Sequence, residues 1–338
     1  MPISTRRLAQ LAGVSAMTAS RALRGREGVG DATRNRILAL ARKHGVPLPA
    51  SRAPNSPDLL RVMSVILDID ILDQSTERSF NRRLLAGMRL GAAECGAEIS
   101  VHPVDAAEWP LLVNRRQVDG IVYVQGSELA PHPPFPAPVP AVFIFSAPHE
   151  ADIVTAENFE AARAIGLHLA ALGHRQAAYI GPDTRMSLTR LAGLRAGLDT
   201  VGGSVATDCV RVRENAGGRA SAVALTDSLL AARRNGTKRL PFTALMAYND
   251  YMAAAAIQHL REQGLTIPDD LSVAGFDAIA PDWYDGPPLT SASMPLEEIG
   301  GEAARLLYWR LSHPHAPPRR LMLTAPLVTG ATTRLAGC

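Results

Sequence analysis

Apolar positions recur along this chain with two different periods. Between residues 4 and 45 the spacing is helical. Leu8, Leu11 and Ala12 mark one short helix, residues 16–23 a second, and Ile37, Leu38, Leu40 and Ala41 the inward face of a third over about 31–44. Ser4 or Thr5 can cap the first helix. Gly13 supplies the turn and Val14 can plug the angle between the first two helices. Ser15 is a strong N-cap for the second helix, and Gly25 and Gly45 close the second and third. From residue 61 onward, short buried-type strands alternate with amphipathic helices. Strands are predicted at 62–67, 98–102, 121–124, 141–145, 177–180, 209–212, 243–247 and 272–276. Helices are predicted at 80–96, 109–116, 159–172, 186–200, 218–234 and 249–263. This βα alternation predicts parallel sheets covered by helices, and its length favours two side-by-side α/β subdomains over one sheet.

Composition narrows the class. The chain has 338 residues, 47% hydrophobic and 20% charged, which is globular. No apolar run reaches membrane-span length and no secretory leader precedes the polar start, so a soluble, cytoplasmic protein is expected. Cys95, Cys209 and Cys338 are odd in number and widely separated, which fits neither a disulfide framework nor a zinc site. The formal net charge of +3 conceals an asymmetry: residues 1–60 carry +7 and the remainder −4. A basic head on a mildly acidic body is an electrostatic footprint for a polyanion, with nucleic acid the first candidate.

Helix, glycine turn and second helix form a helix-turn-helix, whose second helix presents its N-terminal residues to the major groove. Arg21 can pair with guanine, and Ala16 and Met17 can make apolar contact with a thymine methyl. Thr18, Ser20 and the helix N-terminus suit phosphate. The DNA-binding candidates are therefore Ser4, Thr5, Ser15, Ala16, Met17, Thr18, Ser20, Arg21, Arg24 and Arg34.

Further chemistry is sought at the carboxyl ends of the strands, where open α/β sheets bind ligands. Asp68 and Asp70, the run Gly181-Pro182-Asp183-Thr184-Arg185, Tyr248-Asn249-Asp250 and Asp277 all fall there. Asn249 is equally a cap for the helix that follows. Enzyme signatures are missing. Lys43 and Lys238 are the only lysines and neither completes a phosphate-binding loop; no nucleophile elbow, zinc helix or dinucleotide fingerprint occurs. His313-Pro314-His315 has no third ligand nearby, so neither metal nor cofactor is expected.

Residues 8–15 (LAQLAGVS), 17–23 (MTASRAL), Thr33-Arg34 and Ile37 resemble the head of the lactose-repressor (LacI) family. Residues 171–175 (ALGHR), 247–250 (AYND), 267–277 (IPDDLSVAGFD) and 287–290 (PPLT) resemble its body in the same order. The resemblance implies an all-α helix-turn-helix head and a body like periplasmic sugar-binding proteins, with two doubly wound subdomains joined by three crossovers. On that basis the organisation is a DNA-binding head at 1–45, a proline-rich hinge or linker at 46–60 and an effector-binding and dimerisation body at 61–338. The N-subdomain takes about 61–156 plus 294–322, and the C-subdomain about 157–293 plus 323–338. The implied function is a non-enzymatic transcription regulator, most simply a repressor, that binds palindromic operator DNA as a homodimer under control of a sugar or sugar acid. The alternative is a carbohydrate-acting α/β enzyme with a DNA-binding head.

Carried over residue by residue, Phe80, Asn249 and Asp277 occupy effector positions. The family's effector-gripping arginine, in the run written ARxRLxGF, is replaced by Leu188 on this reading, with Arg185 the nearest substitute. Residues 157–162 (ENFEAA) resemble the gluconate-repressor branch, which favours a sugar acid; Arg185 or Arg82 would supply its cation. The linker departs from the family: Val46 replaces a tyrosine, Pro49 an asparagine, and Asn55 falls near the leucine that wedges into the minor groove. Four prolines make a spacer the simpler expectation there.

Overall fold

The structure is a computed structural model. It describes residues 5–23, 29–30, 33, 36–37, 40–41, 62–67, 75–103, 119–124, 139–213, 218–231 and 240–337. The chain forms two compact units, residues 1–59 and 60–338.

In the first unit, α1 (Thr5–Leu11) and α2 (Ala16–Leu23) are joined by a turn through Gly13, whose φ of 63° favours glycine. The Val14 N–H donates to Ala9 O and the Gly13 N–H to Gln10 O, closing α1 with the paired bonds of a Schellman end. The Thr18 N–H donates to Ser15 Oγ at 3.0 Å, so Ser15 caps α2 as its position predicts. Leu8, Ala12, Ala22, Val29, Ile37 and Ala41 are buried together, with Val14 and Leu40 packed against them. Leu11 departs from expectation: it is 44% exposed. The seam runs through Leu8, Ala9 and Ala12, leaving Leu11 outside it. Residues 33, 36–37 and 40–41 are helical. Gly25, Leu38, Gly45, the linker 46–60 and the predicted helix at 109–116 lie outside the described residues.

The second unit contains two parallel sheets. The first comprises β1 (Val62–Leu67), β2 (Glu98–Pro103), β3 (Gly120–Val124), β4 (Ala141–Ile144), β5 (Asp152–Ala156) and β11 (Arg320–Leu323), in the order β2-β1-β3-β4-β5-β11. Against it pack α3 (Ser75–Glu94) and α8 (Leu296–Ser312), through Leu84, Met88, Leu296, Ile299 and Ala303. The second sheet comprises β6 (Ala177–Pro182), β7 (Val210–Arg213), β8 (Ala244–Ala247) and β9 (Ser272–Ala274), in the order β7-β6-β8-β9. Its helices are α4 (Asn158–Ala171), α5 (Arg185–Asp199), α6 (Arg219–Leu230) and α7 (Asp250–Glu262). A short antiparallel ladder pairs β10 (Ser291–Ala292) with β12 (Leu327–Val328).

The chain passes between the two lobes at 156–158, 292–296 and 323–327. β5, α8 and β11 were not predicted as elements. The Gly300-Gly301 pair weakens the intrinsic helix signal of α8, yet Gly300 admits α3: a Cβ there would lie 2.2 Å from Leu84 O. The same device joins α4 and α5. A Cβ at Gly193 would lie 2.2 Å from Phe159 O, so glycine lets α5 press onto the start of α4. Among the described residues no helix is long and apolar enough to cross a membrane.

Candidate functional site

Two surfaces carry the candidate chemistry, one in each unit. In the head, Ser15, Ala16, Met17 and Arg21 are exposed and Thr18 and Ser20 are half-buried. Met17 is 66% exposed, a value matched among the described large apolar side chains by Leu90. An apolar side chain held out from a capped helix N-terminus is suited to contact a base rather than a core. Thr5 lies in α1, but its side chain, together with Ser4, Arg24 and Arg34, falls outside the described residues.

In the body, the predicted residues separate into two groups. Phe80, in the second turn of α3, packs at a tilt against Phe145 just after β4, with ring centroids 5.5 Å apart. Phe145 has a φ of 70°, a left-handed backbone rare for a bulky residue and concentrated at functional positions. The second group sits at the carboxyl ends of β6, β8 and β9. Asp277 follows β9 and lies 3.7 Å from Arg190 Nη2. Arg190 Nε donates to Asn158 Oδ1 at 2.9 Å, and Nη1 donates to Tyr248 O at 2.6 Å. Its guanidinium lies 3.7 Å from the Phe276 ring centroid and 4.4 Å from that of Tyr248. Arg190 is only 2% exposed. The pairing and the two aromatic faces explain how so buried a cation is tolerated. Asp68 and Asp70 lie outside the described residues.

The electrostatics follow from burial. Desolvation raises the Asp277 carboxyl to about 6, opposed by Arg190. Asp250, the first residue of α7, is raised to about 8, first by desolvation and then by the Asp277 charge. Asp277 and Ala278 have φ of 103° and 53°, so the carboxylate is presented from a strained left-handed turn.

Asn249 caps α7, its Oδ1 accepting the Met252 N–H at 2.9 Å. It stands beside Tyr248 at the rim of the cluster. Arg185 is exposed at the first residue of α5, and Leu188 is 47% exposed. The buried cation of this segment is Arg190, whereas Arg185 is exposed. When the family run is aligned on Arg-Leu-x-Gly, its second arginine falls on Arg190-Leu191-Ala192-Gly193. Arg82 is likewise exposed on α3. Phe145 and Asn158 were not singled out as site residues either, and Asp250 entered only within the Tyr248-Asn249-Asp250 run. Among the described residues no group of three or more metal-ligating side chains comes together. His313 instead stacks on Trp309 at 4.4 Å.

This architecture, a helix-turn-helix unit joined to a two-lobed parallel α/β unit, defines a class of bacterial regulators. Residues 7–46 match the family described as bacterial regulatory proteins, lacI family, and residues 167–333 match the periplasmic binding protein-like domain. The transcriptional repressor CytR of Escherichia coli is 28% identical, over 95% of this chain and 93% of the relative. The regulator CelR of Thermobifida fusca is 29% identical, with 95% of each covered. Among solved structures, a CelR–cellobiose complex superposes with a TM-score of 0.68 at 24% identity, covering 98% of this chain and 99% of that one. A lac repressor dimer bound to operator and the anti-inducer ONPF gives 0.64 at 24% identity, covering 99% and 100%. The chain carries a LacI-family helix-turn-helix domain and a periplasmic binding protein-like domain and is a DNA-binding transcriptional regulator.

Proposed function

We propose that this regulator is a repressor acting in the cytoplasm as a homodimer on palindromic operator DNA, and that a small neutral sugar binding between its lobes controls it. The single observation carrying the effector reading is the buried Arg190–Asp277 pair among aromatic rings. A guanidinium donates and a carboxylate accepts, so side by side they match adjacent hydroxyl groups. Phe80 and Phe145 offer apolar faces for the C–H face of a sugar ring. Asp277 offsets the charge of Arg190, which favours a neutral sugar over the sugar acid that the ENFEAA run points to. The cellobiose in the CelR complex supports the same class. Asn249 contributes from the rim, and Arg185 is replaced by Arg190 in this role.

In the head, Ala16, Met17 and Arg21 read base edges, while Ser15, Thr18 and Ser20 stand at phosphate. Ligand acts by binding one closure state of the lobes more tightly than another, which alters the spacing of the paired heads. Titration calorimetry of the full chain with cellobiose, ribose and gluconate tests the effector reading. Heat from a neutral sugar that Asp277→Asn abolishes is the expected result. Binding of gluconate alone, or sugar binding indifferent to Asp277, would overturn it.

A further inference from the structure

Asp250 stands one residue after Asn249, yet its carboxyl is bonded to Ile279 and Ser291, and the effector reading leaves it without a role. It is 1% exposed. Its Oδ2 accepts the Ile279 N–H at 2.6 Å and its Oδ1 accepts the Ser291 hydroxyl at 2.7 Å. Ser291 Oγ in turn accepts the Ala278 N–H at 3.0 Å. Those partners belong to two segments. Ala278 and Ile279 complete the left-handed turn that presents Asp277. Ser291 begins the strand that leads through residues 292–296 to the other lobe. The segments also touch directly, with the Asp277 N–H donating to Ala292 O and the Met294 N–H to Asp277 O. The sequence makes room for the junction. A Cβ at residue 275 would lie 2.1 Å from Asp250 Oδ1, so Gly275 is what admits the carboxyl.

We propose that Asp250 is a positioning residue that latches the Asp277 turn to the crossover at Ser291, so that a change at Asp277 is carried into the segment leading to the other lobe. The regulatory meaning of the latch rests on the effector reading above; the latch itself does not. Two segments that could each adopt other paths share one buried acceptor, and losing that acceptor leaves the Ile279 N–H and the Ser291 hydroxyl unsatisfied together. The titratable groups whose fields reach Asp250 are Asp277, on the turn it holds, and Tyr284, on the loop beyond; Arg190 pairs with Asp277. With burial holding its proton into the neutral range, asparagine is the closest mimic of the side chain at pH 7.

Amide hydrogen exchange on the full chain, read by mass spectrometry without ligand, tests the latch. Asp250→Ala raises exchange across 277–294 by about tenfold while peptides from β6 and β8 keep their protection. Asp277→Asn raises exchange at 290–294 about threefold in the wild-type background and leaves it unchanged when combined with Asp250→Ala, which is the non-additivity of a shared element. An equal effect of Asp277→Asn in both backgrounds, or a uniform loss of protection in Asp250→Ala, would overturn the proposal. Should Asp250→Ala fail to fold, Asp250→Asn decides. Corrected for the intrinsic rate, wild-type protection over 277–294 falls as pH rises from 6 to 8.5 and that of Asp250→Asn does not; the same fall in both proteins overturns the latch. Because no sugar is present, failure of sugar binding leaves this result standing, and a negative result here leaves the effector reading standing.

Discussion

Arg190 and Asp277 come from elements 87 residues apart in sequence and stand 3.7 Å apart in a buried cluster. The contact depends on a helix seam, because Gly193 and Gly197 bring α5 onto α4 and so place Arg190 beside Asn158.

Removing either member exposes the cost of the pair. Arg190→Ala leaves Asp277 buried without its cation, and truncating one partner of a buried pair costs about 3–5 kcal/mol. Arg190→Lys does not restore function, since ammonium cannot reproduce a planar group held between Phe276 and Tyr248. Denaturant melts read the stability loss, and sugar calorimetry reads the failed rescue.

Gly193→Ala should act at a distance from any ligand. Its Cβ would meet Phe159 O at 2.2 Å, backbone that cannot swing aside. Overpacking of this kind costs about 1–3 kcal/mol and shifts Arg190 away from Asn158. Weakened sugar binding with intact operator binding is the expected signature.

The two raised carboxyls tie stability to pH. Asp250 and Asp277 are held at about 8 and about 6 in the folded chain, against an ordinary value of 3.8. A raised folded value means that the folded chain binds the extra proton. The contribution is full below pH 3.8 and is lost as pH rises through about 6 for Asp277 and about 8 for Asp250. Wild-type stability measured against Asp250→Asn therefore declines from pH 4 to 8 and levels off above it. His174 works in the opposite sense. Burial lowers its pKa from 6.5 while its ring bonds Thr243 Oγ1 and Arg334 O. Its contribution is present above pH 6.5 and lost as pH falls, so wild-type measured against His174→Gln weakens on acidification. Thermal melts across pH check both slopes.

In the head, Ser15→Ala removes the cap of α2 and costs about 1 kcal/mol of stability in residues 1–45. Arg21→Ala loses affinity for the preferred DNA site about tenfold or more if the side chain reads a base, whereas loss of a phosphate contact lowers the salt slope by about one. Salt-dependent binding curves separate the two.

Much of this was legible in the chain because local chemistry and fold agree. Gly13, Val14 and Ser15 each serve the turn as their types predict, and strands of continuous β-branched and aliphatic residues stand where the sequence places them. Leu11 misled because the buried face runs through Leu8, Ala9 and Ala12, which leaves Leu11 outside it. The five residues of β5 and the glycine-rich α8 lack a strong period, and tertiary packing rather than propensity supports them. Arg190 was passed over although it stands in the aligned run, because Arg185 is closer to the strand end and burial of the later arginine becomes apparent only when α5 rests on α4. The role of Asp250 had no local signal, since its partners Ile279 and Ser291 are 29 and 41 residues away.

The most direct test of a sensor coupled to a DNA reader is a single titration series. A duplex site is selected from a random library with the full chain, and its affinity is measured with and without whichever of cellobiose or ribose gives heat. The account predicts a palindromic site and an affinity that changes about tenfold with saturating sugar in the wild type but not in Asp277→Asn. Enrichment of no palindrome, or an affinity indifferent to the bound sugar, would contradict it.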